Sequence, residues 1–412
     1  MKRLSILIAL AIAVPVAVPR VAEAANCESF TDVPIVYLQV GDTQTNLLKR
    51  LGRKLRDNKD SDGTPHPIRL VFITNPSCTN INAIYTPVPL IATTTMQYLP
   101  SLTEDPAWNA DDPLHSATLT CTLGAARVPD VANSALFNSA CPPPPTPPVG
   151  AVRAVQGPTQ AYVLAVPTAA EPIAITFEEA YFVFGFGMAG MIAPWTDEAQ
   201  LFIRKLTTST LLAWAANLGI TPASKFKGLQ EAGSPDVAAA VINGTAASIG
   251  ILGAEVYDGN RTTMKALAYR AKGQYAAYYP DSSSSSRDKK NVRDGHYTVW
   301  SPTVWMDLEN PVGTPVSLDA RYVINLITGG TLDKDPNFDM IKDAIGPVGL
   351  VPTCAMQVNR DHEGGELSLF TPGTSCTCKY ESVVATTACA TCDATHACAT
   401  GTTCRAGFCE DH

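Results

Sequence analysis

From Val33 to about Leu350 the chain alternates short apolar runs with stretches of helical spacing, Pro and Gly falling between them. Ile35-Val36-Tyr37-Leu38-Gln39-Val40 is nearly continuous in apolar residues, as expected of a strand buried on both faces. Behind it, Leu47, Leu48, Leu51 and Leu55 fall on one face of a helix. Ile68–Ile73 predicts a second strand, and Ala161–Val166 another that Pro167 ends. Thr176-Phe177-Glu178-Glu179 has the spacing of a capping box and predicts a helix through Phe184. Ser234-Pro235-Asp236 places an N-cap, a proline at the first helical position and an acid in the first turn, ahead of Val237–Ile242. Strands separated by helices predict an α/β fold, its parallel or mixed sheet covered on both faces.

The pattern breaks in three places. Pro142–Pro148 can join neither a helix nor a central strand, and Ser282–Ser286 reads as a solvated loop. From Cys354 onward the apolar periodicity ends, and most of the 12 cysteines crowd into the remaining residues. A segment with so little core must be stapled, and disulfides are the expected staple. At the other end, Met1-Lys2-Arg3, the apolar run Leu4–Val18 and Ala22-Glu23-Ala24 make a secretory signal with cleavage after Ala24 or Ala25. The run is too short, and too interrupted by Pro15, to span a bilayer comfortably. Asn26 stands where a lipoprotein signal wants Gly or Ala before Cys27. The expected location is periplasmic or secreted, without membrane insertion.

The formal net charge of −8 argues against nucleic acid and anionic membrane surfaces, which need basic patches. It leaves anion binding open, because a pocket's field is set by a few groups.

Three tracts, in their order and spacing, resemble the type 2 periplasmic solute-binding superfamily in its phosphate-binding-protein-like branch. They are Glu179–Gly187 continuing to Ala193-Pro194-Trp195-Thr196-Asp197, Phe202-Ile203-Arg204 with Thr207–Thr210 beyond, and Asn291–Tyr297 with Trp300-Ser301-Pro302. The resemblance implies two α/β lobes joined by two crossings, with a ligand in the cleft between them. Residues 25–158 and 266–350 would form the first lobe, 159–265 the second, and 351–412 a cysteine-rich tail outside the resemblance.

In oxyanion binders of that family, helix N-termini from both lobes face the cleft. Their first-turn N–H groups have no intrahelical partner, and the helix dipole favours negative charge there. By resemblance the ligand-binding candidates are Thr43, Ser77 and Ser134 from the first lobe, with Arg204, Thr207, Thr208, Ser209 and Thr210 from the second. Each hydroxyl could equally be an ordinary N-cap, and Arg204 a salt bridge at a strand end. The chain departs from the family in three ways. Ser209 stands where a glycine allows close approach of an anion to the backbone. Ala135 stands where an acid would accept a proton from a protonated oxyanion. Asp42 places a negative charge beside the first helix.

Other constellations carry less. Asn58–Gly63 imitates half an EF-hand loop, but Arg69 takes the position of the required Glu, so a polar turn is expected. His362-Glu363-Gly364-Gly365-Glu366 lacks the second His of a zinc-protease helix, and its glycines break the helix. Cys389-x-x-Cys392 is read as disulfide-forming, with no metal expected. Asn243 and Asn260 lie in glycosylation sequons that matter only in a host using them. No nucleophile elbow, P-loop or dinucleotide fingerprint occurs in context, so neither enzyme activity nor a cofactor is expected. The leading expectation is extracytoplasmic capture of a small anionic or polar solute, an oxyanion of phosphate type foremost, with a transporter or surface partner downstream. The alternative is a degenerate binding fold that serves as an interaction protein through its tail.

Overall fold

The computed structural model describes residues 25–411 apart from 113, 144, 145 and 147–150. The expected signal peptide and part of the Pro142–Pro148 stretch lie outside the described residues.

In the first part of the chain, strands β1 (Ile35–Val40), β2 (Arg69–Thr74), β3 (Thr95–Tyr98), β4 (Leu119–Thr122) and β5 (Val131–Ser134) form one half of a long sheet. Helix α1 (Thr45–Arg56) follows β1 and α2 (Ser77–Tyr85) follows β2. Then comes β6 (Val152–Pro167), with 16 residues far longer than a usual strand of about 5–6. The second half holds α3 (Phe177–Phe186), β7 (Leu201–Arg204), α4 (Ser209–Leu218), β8 (Leu229–Glu231), α5 (Ser234–Asn243), β9 (Ile249–Gly253), α6 (Ala254–Gly259) and β10 (Met264–Ala266). The chain returns through β11 (Trp300–Leu308) and α7 (Leu318–Thr328).

Across the sheet the order is β4-β3-β2-β1-β5-β11-β6-β9-β7-β8, with β10 also pairing β6. β1 runs parallel to β2 and β5, and β9, β7 and β8 run parallel to one another. Everything turns on β6. Its first part pairs antiparallel with β11, from Val152↔Leu308 to Ala161↔Trp300. Its second part pairs with β9, beginning at Tyr162↔Gly253, and with β10. The partner exchange between Ala161 and Tyr162 divides the α/β body into two lobes. The apolar pattern showed only the second half of this strand. Arg153, Gln156, Gly157, Pro158 and Gln160 hide the first half, because they serve a joint and not a uniformly apolar core.

Two large clusters of buried apolar side chains form, the second of which also takes in Ile81, Ile84, Ala132 and Leu136 of the first lobe. In the first, Leu48, Leu51 and Leu55 of α1 and Val323 and Ile327 of α7 pack on Val36, Leu38, Leu70 and Phe72. In the second, Val183, Phe184, Leu211, Trp214 and Val237 pack on Leu164, Leu201, Ile203 and Ile251. The expected capping box of α3 forms, Thr176 and Glu179 each accepting from the other's amide. At α5 the start is displaced by one residue: Gly233 is the cap, its amide donating to Asp236 at 2.7 Å, and Ser234 is the first helical residue. The freed Ser234 amide finds a partner across the lobes, described below.

All twelve cysteines pair. Cys27–Cys121 ties the N-terminal segment to β4, and Cys78–Cys141 ties α2 to the chain beyond β5. The tail carries Cys354–Cys376, Cys378–Cys389, Cys392–Cys404 and Cys398–Cys409 around α8 (Thr377–Val384) and a terminal hairpin at 402–411. Each closed loop of this size stabilises by about 2–4 kcal/mol on the chain-entropy account.

Gly157 lies where β6 passes closest to β11. A Cβ there would sit 2.8 Å from Trp305 Cδ1 and 3.0 Å from Thr303 Oγ1, both buried. Overpacking of this kind costs about 1–3 kcal/mol. Gly157→Ala should therefore lower the urea midpoint clearly, whereas Gly259→Ala, with nothing within 4 Å of the added carbon, should leave it nearly unchanged.

Candidate functional site

Five helices begin just after strands of the two parallel sets: α1 after β1, α2 after β2, α4 after β7, α5 after β8 and α6 after β9. Open α/β sheets place their binding sites at such strand ends. Side-chain contacts bring these starts together at the lobe boundary.

Arg204 ends β7 and is buried. Its Nη1 donates to the Glu231 carbonyl at 3.1 Å, and its Nη2 to Asp42 Oδ2 at 2.7 Å. The same Asp42 oxygen accepts from the Ser234 amide at the start of α5 at 3.1 Å. A first-lobe carboxylate thus sits on a second-lobe guanidinium and helix N-terminus, the two donors that attract an anion most.

Gln160 and Tyr162, two apart on β6, share one face of the strand and form the floor. Gln44 Nε2 donates to Gln160 Oε1 at 2.7 Å, and Gln160 Nε2 donates to Glu255 Oε2 at 2.8 Å. Burial pushes the Glu255 carboxyl up to about 8, and the nearby Asp42 charge adds to the shift. The Tyr162 hydroxyl donates to the Ala135 carbonyl. Burial holds this phenol well above its ordinary pKa, so it stays neutral. The floor therefore links both lobes through neutral hydrogen bonds, and Asp42–Arg204 is the ion pair beside it.

The sequence-derived candidates divide. Thr43 is buried and its hydroxyl accepts from Gln44 Nε2 at 3.3 Å. Ser77 is held beside it: its Oγ accepts from the Ala135 amide at 3.2 Å, next to the Cys78–Cys141 staple. Arg204, Ser209 and Thr210 lie at the boundary, with Thr210 Oγ1 buried and unpartnered among the described residues. Thr208 caps α4 by position, yet its hydroxyl donates back to the Lys205 carbonyl at 2.8 Å. Ser134 turns inward, donating to the Leu136 carbonyl at 2.8 Å, and Thr207 is exposed on the outer surface of its turn. Gln44, Gln160, Tyr162, Glu255, Ser301 and Glu363 were not among the candidates. Gln160 and Glu255 were visible only as polar residues inside or beside apolar runs. Arg204 Nε, Ser234 Oγ, Gln44 Oε1 and Asn133 Oδ1 also lack partners among the described residues, so the boundary retains unused hydrogen-bonding capacity.

No family model and no curated protein matches the chain. Solved structures do. A putative phosphate ABC transporter substrate-binding protein from Clostridium perfringens, with bound phosphate, is 11% identical over 77% of this chain and 99% of its own, at a TM-score of 0.48. An ABC-type phosphate transport receptor from Vibrio cholerae is 11% identical over 77% and 99%, at 0.46. A possible phosphate binding protein from Planctomyces limnophilus is 9% identical over 78% and 93%, at 0.43. The likeness is one of chain arrangement. The chain has the expected α/β architecture, with two lobes and a disulfide-rich C-terminal module. No helix of the described residues is long and apolar enough to cross a membrane.

The Glu255 carboxyl gives the boundary a pH signature. Its folded-state pKa of about 8 lies above its unfolded value, so the folded state holds the proton more tightly. Its contribution to stability is therefore greatest below the unfolded pKa and is lost as pH rises toward 8. Glu255→Gln should flatten the fall in melting temperature between pH 5 and pH 8, and the variant should overtake the parent at the alkaline end. Thermal melts across that range read it directly.

Proposed function

We propose that the protein is an extracytoplasmic solute-binding protein whose interlobe site is built for a small oxyanion and in which Asp42 takes the anion's place. The supporting observation is the position of Asp42 Oδ2, 2.7 Å from Arg204 Nη2 and 3.1 Å from the Ser234 amide. A free oxyanion would seek the same two donors. Unpartnered Thr210 Oγ1 and Ser234 Oγ stand ready to add to them. Six disulfides fit an oxidising compartment. The lobes are taken as residues 25–158 with 266–350, and 159–265. We assign no catalytic step.

Asp42 changes what such a site can do. A tethered competitor acts at an effective concentration of the order of mM or more, so an incoming anion must displace it. Binding is then weaker than Arg204 and the helix starts alone would give, and closure does not require solute. Ala135 removes the acceptor that would favour a protonated oxyanion, so phosphate has no built-in advantage over sulfate.

A second reading follows from the same contact. With Asp42 on Arg204 and the neutral floor closed beneath it, the cleft could be permanently satisfied, leaving the outer surface or the tail as the working part.

Calorimetry with inorganic phosphate and sulfate separates the two. Asp42→Ala should bind at least one of these anions ten-fold or more tighter than the parent, and the anion should raise its melting temperature. A charge-assisted hydrogen bond contributes about 1.5–3 kcal/mol, so adding Arg204→Ala should weaken binding by about ten- to a hundred-fold. If neither anion binds Asp42→Ala, the oxyanion reading falls and the satisfied-cleft reading replaces it.

A further inference from the structure

Beyond the lobes, residues 354–376 form a loop closed by Cys354–Cys376 and braced by a short strand pair, Val358↔Leu369 and Asn359↔Ser368. Its tip enters the lobe boundary. Arg360 is buried with its guanidinium 4.1 Å from the Trp300 ring. It donates to the Thr298 carbonyl at 3.1 Å and also to the Trp300 carbonyl. Next to it the buried Glu363 carboxylate receives the Ser301 hydroxyl, 2.8 Å from each oxygen. Gly364, at φ +70°, lies against α4: a Cβ there would meet Ala216 backbone and side-chain atoms at 3.2 Å. One short loop therefore touches the first lobe at Ser301 and the second lobe at Ala216.

The contacts continue inward. Ser301 is the cross-strand partner of Gln160, whose side chain bonds Gln44 of the first lobe and Glu255 of the second. The tail carboxylate is thus one strand away from the hydrogen bonds that join both lobes. Burying a carboxylate is costly unless it is paired and hydrogen-bonded; Glu363 is paired with Arg360 of its own loop at 3.8 Å and takes its hydrogen bond from Ser301, outside the loop.

We propose that the 354–376 loop is a latch: Glu363, held at the tip of a disulfide-closed loop, keeps the two lobes together by holding Ser301 beside Gln160 while the neighbouring Gly364 packs on Ala216 of α4. The latch acts whether or not a solute binds, so its test is independent of the oxyanion reading. Closure is set by this loop as well as by Asp42, and the tail becomes part of the lobe boundary.

Hydrogen exchange on the full-length protein without added ligand tests it. In Glu363→Ala, amides facing the boundary, at 135–137 and 209–211, should exchange at least ten-fold faster than in the parent. Amides of the two lobe cores, such as Leu38 and Leu164, should keep their parental rates. The Cys354→Ser, Cys376→Ser double variant should reproduce that pattern. If Glu363→Ala does not fold, Glu363→Gln is read in its place, with at least a three-fold local increase expected. Unchanged boundary exchange overturns the latch. So does a uniform increase across both lobes, which would make the loop a general staple of the fold.

Discussion

A buried guanidinium must have an anion beside it, and the lobe boundary is organised around how Arg204 obtains one. The strand that delivers Arg204 and the helix start at Ser234 belong to one lobe, while the Asp42 carboxylate comes from the other. The pair is half screened, since Asp42 is partly exposed while Arg204 is not. Such a contact gives closure an electrostatic component without requiring two fully desolvated ions, which often fail to recover their desolvation cost. Beneath it the floor is neutral: glutamine to glutamine, glutamine to a carboxyl that holds its proton near neutrality, and a phenol to a carbonyl.

This division of labour separates a binding fold from a binding function. Helix starts facing a cleft attract negative charge wherever they occur, and the chain can supply that charge itself. Whether a protein of this architecture captures solute depends on how firmly its own groups satisfy those donors. Here Asp42 takes two of the strongest, yet several buried atoms around it keep unused capacity.

Much of the fold was legible because its elements carry strong local signals: the leucine face of α1, the apolar run of β1, the capping box of α3. The site was legible only in part. Arg204, Thr43, Ser77 and Ser209 could be singled out by the resemblance and by their places at strand ends and helix starts, although capping and a strand-end salt bridge were competing uses. Asp42 could be recognised as a charge in an awkward place, but not as Arg204's partner, since 162 residues separate them. Ser134 and Thr208 illustrate the opposite case: their hydroxyls serve local turns, a use sequence spacing cannot distinguish from ligand contact. Glu363 sat in a fragment resembling a metal motif, and its partner Ser301 is too distant in sequence to suggest any other role.

The partner exchange within β6 has a mechanical meaning. Because one unbroken strand belongs to both lobes, any relative motion of the lobes would bend the backbone near Ala161 and Tyr162, making that point a fulcrum. Groups beside a fulcrum travel little while those far from it sweep long arcs. Gln160 and Tyr162 flank the fulcrum directly, so their hydrogen bonds set the stiffness of the joint more than the depth of closure. Asp42 and Arg204 belong to separate arms, and a small angular change there breaks or makes a whole ion pair. The molecule thus keeps a bearing and a discrete catch in different residues, coupled through the Asp42 charge that Glu255 feels beside Gln160.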